Sequence, residues 1–476
     1  MTKILHPFKY RGKWDHLLVT VFLFINGLVA VNAVLHDPYV GYDIRDHLNM
    51  IRVLSEEHHW PTAEQSREFY SPPIPYLLPA LFKDLLGTNL LRAAKFGQLV
   101  NLFLSIGVTY LLLKISDLVL EESRYLKIAS LIFLGMMAVY YRTFAFIRGE
   151  NYLTFFAVLV IYQTLHIFLR EHYDFHQIIT LGLELSLMPL SRQWGLLIFP
   201  AILLFVTFLT VKDGMDWRRR LKVITISYAI ALILSGWFYL FLKIQNGSAL
   251  AFSTKPVQFS LSTQPPEFYF GTGSGKLFSD PIRPSFANQL FPTFYSDTWG
   301  DYLGYFLVYG RNLQTHEYIF GEKLLNLTNQ AITESSIETN RFSIASYLGR
   351  VNLLDLIPSA FLLSGWLLGI FNIWRGLRQT TLGYLDSMLI LLSLIVACTL
   401  GGYMWFLIRY PDYQGSAIKA TYMMQIFPCL ALGAGTVIEK LRKKYPKIWI
   451  PFLIVFGIIM LHDVPTMLTH FPLFHI

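Results

Sequence analysis

A succession of apolar runs, each about twenty residues long, constrains this chain more than any other feature. Hydrocarbon offers no partner to a backbone N–H or C=O, so an open chain crosses a bilayer only as helices that satisfy those groups internally. About eleven runs read as spans, near 16–35, 94–117, 126–141, 150–170, 175–191, 194–211, 221–244, 353–374, 383–408, 417–436 and 448–464. Composition agrees. Of 476 residues, 54% are hydrophobic and 15% are charged, against about 25% charged in soluble domains, and mean hydropathy is +0.45. The expectation is an all-α polytopic membrane protein. The first run lacks a small-residue cleavage site and reads as a retained span. Cys398 and Cys429 both lie in apolar runs and give neither a disulfide framework nor a metal-ligand spacing.

The net charge of +8 would suit nucleic acid, but its placement follows the membrane. Lys3, Lys9, Arg11 and Lys13 precede the first span. Lys212, Arg218, Arg219, Arg220 and Lys222 follow the sixth, Arg375 and Arg378 the eighth, and Lys440, Arg442, Lys443, Lys444 and Lys447 the tenth. With the N-terminus cytoplasmic all of them fall on the inner face. Two long segments then lie outside, 36–93 and 245–352, and loops of that length usually fold or function. The expected organisation is an N-terminal transmembrane part over 1–244 that contains 36–93, a small external subdomain over 245–352, and C-terminal helices over 353–476.

The first external segment carries the densest chemistry. After Gly41-Tyr42-Asp43, apolar residues recur at Ile44, Leu48, Ile51 and Leu54, the spacing of a short amphipathic helix in the interface. Asp43, Asp46 and His47 stand at i, i+3 and i+4 and share a face near its start. Two readings stand side by side: acids that favour a helix N-terminus, or a catalytic or metal-binding carboxylate. Pro72, Pro73 and Pro75 forbid a regular helix through 70–75. A turn there, entering a helix from Tyr76 to Leu86, would bring Tyr70 and Ser71 over the membrane beside the acids.

Further charges break the inside bias. Glu150 opens the fourth span within Arg148-Gly149-Glu150-Asn151, on the same side as Asp43. Glu184 lies inside the fifth, where an ionised carboxylate costs roughly 2.5–3.5 kcal/mol. Arg192, Arg409 and Lys419 sit at outer span ends, where a cation either snorkels to the headgroups or binds a lipid phosphate. Gly271-Thr272-Gly273-Ser274-Gly275-Lys276 is not a phosphate loop, because Phe270 and Leu277 stand where Gly and Ser/Thr are needed. Asn246-Gly247-Ser248 and Asn326-Leu327-Thr328 are sequons of a kind that also arises by chance. His58 and His59 read as surface residues.

The Tyr42-Asp43 pair after the first span, the His47-containing helix, and Tyr70-Ser71-Pro72-Pro73-Ile74-Pro75-Tyr76 together resemble the first loop of GT-C glycosyltransferases. Among these the protein O-mannosyltransferase and lipid A aminoarabinose transferase families are most similar. The resemblance covers roughly 36–200 and extends loosely to Ile418-Lys419-Ala420-Thr421-Tyr422 with Phe427-Pro428. It implies a sugar donor carried on a polyprenyl phosphate, and an acid of this loop at the reaction centre, the place held by Asp43. Many relatives have Asp-Glu there, whereas this chain has Asp43-Ile44 and its second acid at Asp46. Related enzymes also carry an acid near Glu150. Trp299-Gly300-Asp301-Tyr302 is faintly similar to the Trp-Trp-Asp peptide-binding motif of oligosaccharyltransferases, with one Trp missing, and reads better as an aromatic loop packed on the membrane surface.

The resemblance thus implies inverting transfer of a hexosyl or pentosyl group to a glycan, lipid or protein acceptor on the external face. Asp43 is the expected base, with Asp46 and Glu150 as further acids. Arg192, Arg409 and Lys419 are expected on the donor phosphate. His47, Tyr70, Tyr76, Asp297 and Asp301 are expected on acceptor or sugar. A catalytic divalent metal is not favoured, and no nucleic acid is expected. The host membrane is the plasma membrane in a prokaryote or the endoplasmic reticulum in a eukaryote. The rival reading is a transporter or flippase of a lipid-linked sugar; it accounts for the spans, Glu184 and the basic rim, but not for the long external segments, and the sequence has no inverted repeat of spans.

Overall fold

Helix α1 (Lys13–Leu35) delivers the chain to one end of a bundle, where α2 (Ile44–Glu56) and α3 (Ile74–Leu85) pack against each other. The computed structural model describes residues 13–121, 123–171, 173–213, 217–320, 323–324, 337–378, 382–413 and 415–469. Lys3, Lys9, Arg11 and the Asn326 sequon lie outside them. The predicted amphipathic helix is α2, which buries Ile44, His47, Leu48, Met50, Ile51 and Val53 on one side. Helix α3 starts at Ile74, two residues earlier than expected and inside the stretch the prolines were expected to keep non-helical: Pro73 caps it and Pro75 sits in its first turn, where a missing N–H costs nothing because no intrahelical acceptor awaits it.

The chain then runs through α4 (Leu90–Val119), α5 (Arg124–Met136), α6 (Ala138–Ala145), α7 (Gly149–Arg170), α8 (Phe175–Ser191), α9 (Ile198–Asp213) and α10 (Trp217–Asn246). After a stretch of mostly irregular chain come α11 (Pro266–Phe270), α12 (Leu290–Trp299), three short strands and α13 (Arg341–Leu354). Helices α14 (Leu356–Gly376), α15 (Tyr384–Arg409), α16 (Ile426–Lys444) and α17 (Trp449–Met467) complete the fold. The strands, β1 (Tyr309–Asn312), β2 (Tyr318–Phe320) and β3 (Ile337–Thr339), form an antiparallel sheet in the order β2-β1-β3.

Among the described residues eight helices are long and apolar enough to cross a membrane, or nine if α5 and α6 count as one broken span. This is fewer than the eleven runs in the sequence, and the reasons are local. Helix α5 breaks from α6 by 67° at Met137, which is extended. Helix α8 has only 17 residues, short of the roughly 20 that span hydrocarbon. Helix α16 starts at Ile426 instead of near 417, because Ala420–Met423 form a tight 3-10 turn.

Helix α16 packs most extensively on α5 and α14, and every residue of α6 is buried. Small residues permit this. A Cβ on Gly365 of α14 would lie 2.3 Å from the backbone of Gly433 in α16, so the two helices touch backbone to backbone, where dispersion and not hydrophobicity drives packing.

Candidate active site

Asp43 precedes α2 and has a left-handed backbone, φ 53° and ψ 23°, a conformation that Asp tolerates better than most side chains. Its carbonyl accepts from Asp46 N and His47 N at 3.0 and 3.2 Å and starts the helix. Its carboxylate makes no cap bond. Instead Oδ2 accepts from Lys419 Nζ at 2.7 Å, across 376 positions of sequence. The simple helix-cap reading therefore does not describe Asp43: the side chain a cap would use is turned toward the last third of the chain.

Lys419 is held equally firmly. Its backbone N–H donates to Tyr403 Oη at 2.8 Å, and the next amide, Ala420 N, donates to Asp297 Oδ2 at 2.6 Å. Thr421 Oγ1 lies 2.8 Å from Thr143 Oγ1 on α6. The ammonium lies over the rings of Tyr42 and Tyr422, at 5.3 and 5.5 Å, a favourable cation–π placement. Burial pushes the Asp43 carboxyl upward, but the Lys419 ammonium outweighs it and holds the group well below the usual carboxylate range. Burial likewise lowers Lys419, and Asp43 reverses this and raises it.

Both groups open onto a cavity of about 330 Å³ at the end of the bundle that carries α2 and α3. Asp46, Arg67, Glu68, Tyr70 and Tyr422 line its polar side, and Phe252, Phe406 and Tyr410 form an aromatic wall. Phe252 lies 4.9 and 4.7 Å from Phe406 and Tyr410. Asp46 does not point at Lys419: it accepts from Arg67 N at 2.8 Å and pairs with Arg67 Nε at 3.2 Å, which ties the segment before the proline turn to α2.

Beneath the cavity runs a buried chain of charges. Arg148 Nε donates to Glu150 Oε2 at 2.7 Å, Arg192 Nε pairs with Glu150 Oε1 at 3.0 Å, and Arg192 also pairs with Glu68 Oε2 at 2.8 Å. Ser71 Oγ donates to Glu68 and accepts from Arg192, and Tyr70 Oη donates to Glu68 Oε1 at 3.1 Å. Arg192 outweighs burial at Glu68 and keeps its carboxyl below the ordinary range. Gly149 makes the crossing possible, since a Cβ there would meet Ser191 O at 2.3 Å.

The sequence candidates thus separate. Asp43, Asp46, Tyr70 and Lys419 line one cavity. Glu150 and Arg192 form the ion-pair chain under it and are not among its lining residues. His47 and Tyr76 are buried and bonded to each other at 2.7 Å, with burial pushing the imidazole down. Arg409 is half-buried at the end of α15; its neighbours Phe406 and Tyr410 face the cavity and it does not.

Asp297 and Asp301 are wholly buried and are not among the residues that line this cavity. Arg142 lies between them, at 3.6 and 3.4 Å. Tyr42 Oη donates to Asp297 Oδ1 at 3.2 Å, and Asp301 accepts the amides of Phe306 and Leu307 at 2.8 Å each. They anchor the loop that positions Lys419. Trp299 is 2% exposed and packs inside the protein instead of on a membrane surface. Glu184 is buried in α8, away from the cavity lining.

Sequence reasoning passed over Glu68, Arg142, Arg148 and Tyr403. A cation within an apolar run is costly enough to flag, so Arg142 and Arg148 carried a signal; Glu68, inside a polar segment, carried none. Among the described residues no three His, Cys, Asp or Glu side chains converge on a possible metal position. The acids at the cavity pair with cations: Asp43 with Lys419, Asp46 with Arg67 and Glu68 with Arg192.

No protein-family model matches this chain, and no curated protein matches it. Solved structures do. The archaeal oligosaccharyltransferase AglB from Archaeoglobus fulgidus, in complex with an inhibitory peptide and a dolichol-phosphate, aligns with TM-score 0.51 at 13% identity, over 96% of this chain and 56% of that one. A second structure of the A. fulgidus enzyme, with Zn and sulfate, gives 0.50 at 12% identity, over 96% and 53%. ArnT from Cupriavidus metallidurans bound to undecaprenyl phosphate gives 0.36 at 14% identity, over 89% and 77%. The chain spans little more than half the length of the archaeal enzyme. What the likeness carries is architecture: this is a predominantly helical, multi-pass membrane protein that shares the fold of archaeal oligosaccharyltransferase.

Proposed function

We propose that the chain transfers a sugar from a polyprenyl-phosphate donor to an acceptor hydroxyl in the Asp43 cavity, with inversion at the anomeric carbon. One observation carries this reading: an acid from the first loop and a cation from the late helices meet at 2.7 Å in a single cavity at the membrane end of a GT-C fold. The acceptor oxygen attacks the anomeric carbon as the bond from that carbon to the phosphate oxygen breaks. Asp43 takes the acceptor proton, and the bonding pair leaves with the polyprenyl phosphate, whose charge Lys419 stabilises. The direct test is sugar transfer by purified protein in detergent, given a polyprenyl-phosphate sugar and a hydroxyl acceptor. Release of free polyprenyl phosphate coupled to product formation supports the reading. Movement of donor across vesicles without transfer supports the flippase instead.

The ion pair sets an order. While Lys419 holds Asp43, the carboxylate is a poor base. A donor phosphate competes for the ammonium, and as Lys419 moves to it, Asp43 loses its counter-charge, so its basicity rises. The active form is the carboxylate, so activity falls when pH drops through its pKa. In the free enzyme that pKa is depressed and the acid limb of kcat/KM lies far down the pH scale; in the donor complex the acid limb of kcat lies higher, by roughly 1–3 units. Coincident limbs would remove the exchange of partners. Lys419→Ala is expected to weaken donor binding about ten- to a hundredfold, the worth of a charge-assisted hydrogen bond, read as displacement of a labelled polyprenyl phosphate. Unchanged affinity would take Lys419 out of the donor site.

A further inference from the structure

The far end of the bundle holds a second polar cavity. Helix α7 carries Glu150 in its first turn beneath the Asp43 cavity and runs to Arg170, and there a space of about 460 Å³ opens between α7, α9, α10 and α15. Arg170, Glu171, Arg220, Tyr384 and Ser387 supply its polar lining. Arg220 is the telling residue. Its sequence neighbours Arg218 and Arg219 are exposed, as cations at a helix end in a membrane normally are. Arg220 is 3% exposed and faces the cavity. Arg170 lies over the Tyr384 ring at 5.0 Å, and its Nη2 donates to Leu118 O at 3.2 Å, which fixes a second guanidinium at the rim. Ser387 is buried and adds a hydroxyl. Glu171 sits on the same rim and opposes an anion at its own edge, which favours a position toward Arg220.

We propose that this cavity binds a phosphate group, from a lipid headgroup of that leaflet or from free phosphate. Guanidinium presents paired N–H donors that match phosphate oxygens, and basic pockets between membrane helices take anionic headgroups. Val211, Trp217 and Leu221 on the same helix ends are 73%, 55% and 50% exposed, apolar side chains suited to acyl chains beside the exposed cations. The site lies at the opposite end of the bundle from Asp43 and does not depend on the reaction proposed there.

The test uses the full chain in nanodiscs of phosphatidylcholine with or without phosphatidylglycerol, and separately in neutral detergent with inorganic phosphate. Native mass spectrometry after delipidation is expected to find one phosphatidylglycerol retained by the wild type. Occupancy should fall at least tenfold in Arg220→Gln and severalfold in Arg170→Gln. The second variant changes an exposed side chain, so it keeps the test open if Arg220→Gln fails to fold. A rise in melting temperature with inorganic phosphate, lost in Arg170→Gln and without retained lipid, assigns the site to free phosphate. Equal response of wild type and both folded variants to both probes, or of wild type and Arg170→Gln if the other does not fold, overturns the proposal.

Discussion

Asp43→Asn is expected to lower sugar transfer by about 10²–10⁴-fold, the usual worth of a positioned general base, while leaving the protein folded and able to bind donor. Asparagine keeps the shape and a hydrogen-bonding oxygen but cannot accept the acceptor proton. The fold should tolerate it because the Asp43 side chain caps nothing: the backbone carbonyl starts α2, and the carboxylate is about one-third exposed in the cavity. Donor affinity should hold or rise, since Lys419 is freed from a competing carboxylate. The measurement pairs initial rates with binding of labelled polyprenyl phosphate. A variant that turns over like the wild type would move the base elsewhere. Asp46→Asn is the companion experiment: that carboxylate is engaged by Arg67 N and Nε, so its loss should loosen the loop and cost far less transfer.

What could be read in the sequence follows from how far each signal reaches along the chain. Apolar runs and helix spacing are local, and α2 falls where the periodicity puts it, while α3 starts two residues before the expected Tyr76. The helices long and apolar enough to span are fewer than the apolar runs at three places: at the Met137 break, at the short α8, and at the turn before α16, whose amides are claimed by Tyr403 and Asp297. Asp43 and Lys419 stood out because each broke a rule, an acid at the mouth of a span and a cation on the wrong face. Their meeting could not be read, since a contact across 376 positions leaves no mark in either neighbourhood. Asp297 and Asp301 show the converse. An Asp in a long polar segment looks solvent-facing, and only the structure shows both buried against Arg142 of α6.

The second large effect concerns stability. Arg192→Met is expected to destabilise the fold by about 3–5 kcal/mol, because removing one member of a buried ion-pair network leaves its partners charged and uncompensated. Arg192 joins Glu68, from the turn before α3, to Glu150, at the start of α7, and all three side chains are at most 5% exposed. Arg148 would still neutralise Glu150, so the penalty should concentrate on Glu68, which would retain only Ser71 and Tyr70. Adding Glu68→Gln to Arg192→Met should therefore recover part of the loss, a coupling that a double-mutant cycle reads directly. Arg409→Gln, outside the network, should unfold like the wild type. Thermal unfolding in one detergent, alongside donor binding, separates the two roles open to Arg192. A variant of normal stability with impaired donor affinity would place Arg192 beside Lys419 on the phosphate. An unstable variant that Glu68→Gln rescues makes it the keystone under the cavity, holding Tyr70 and Ser71 where the proline turn brings them.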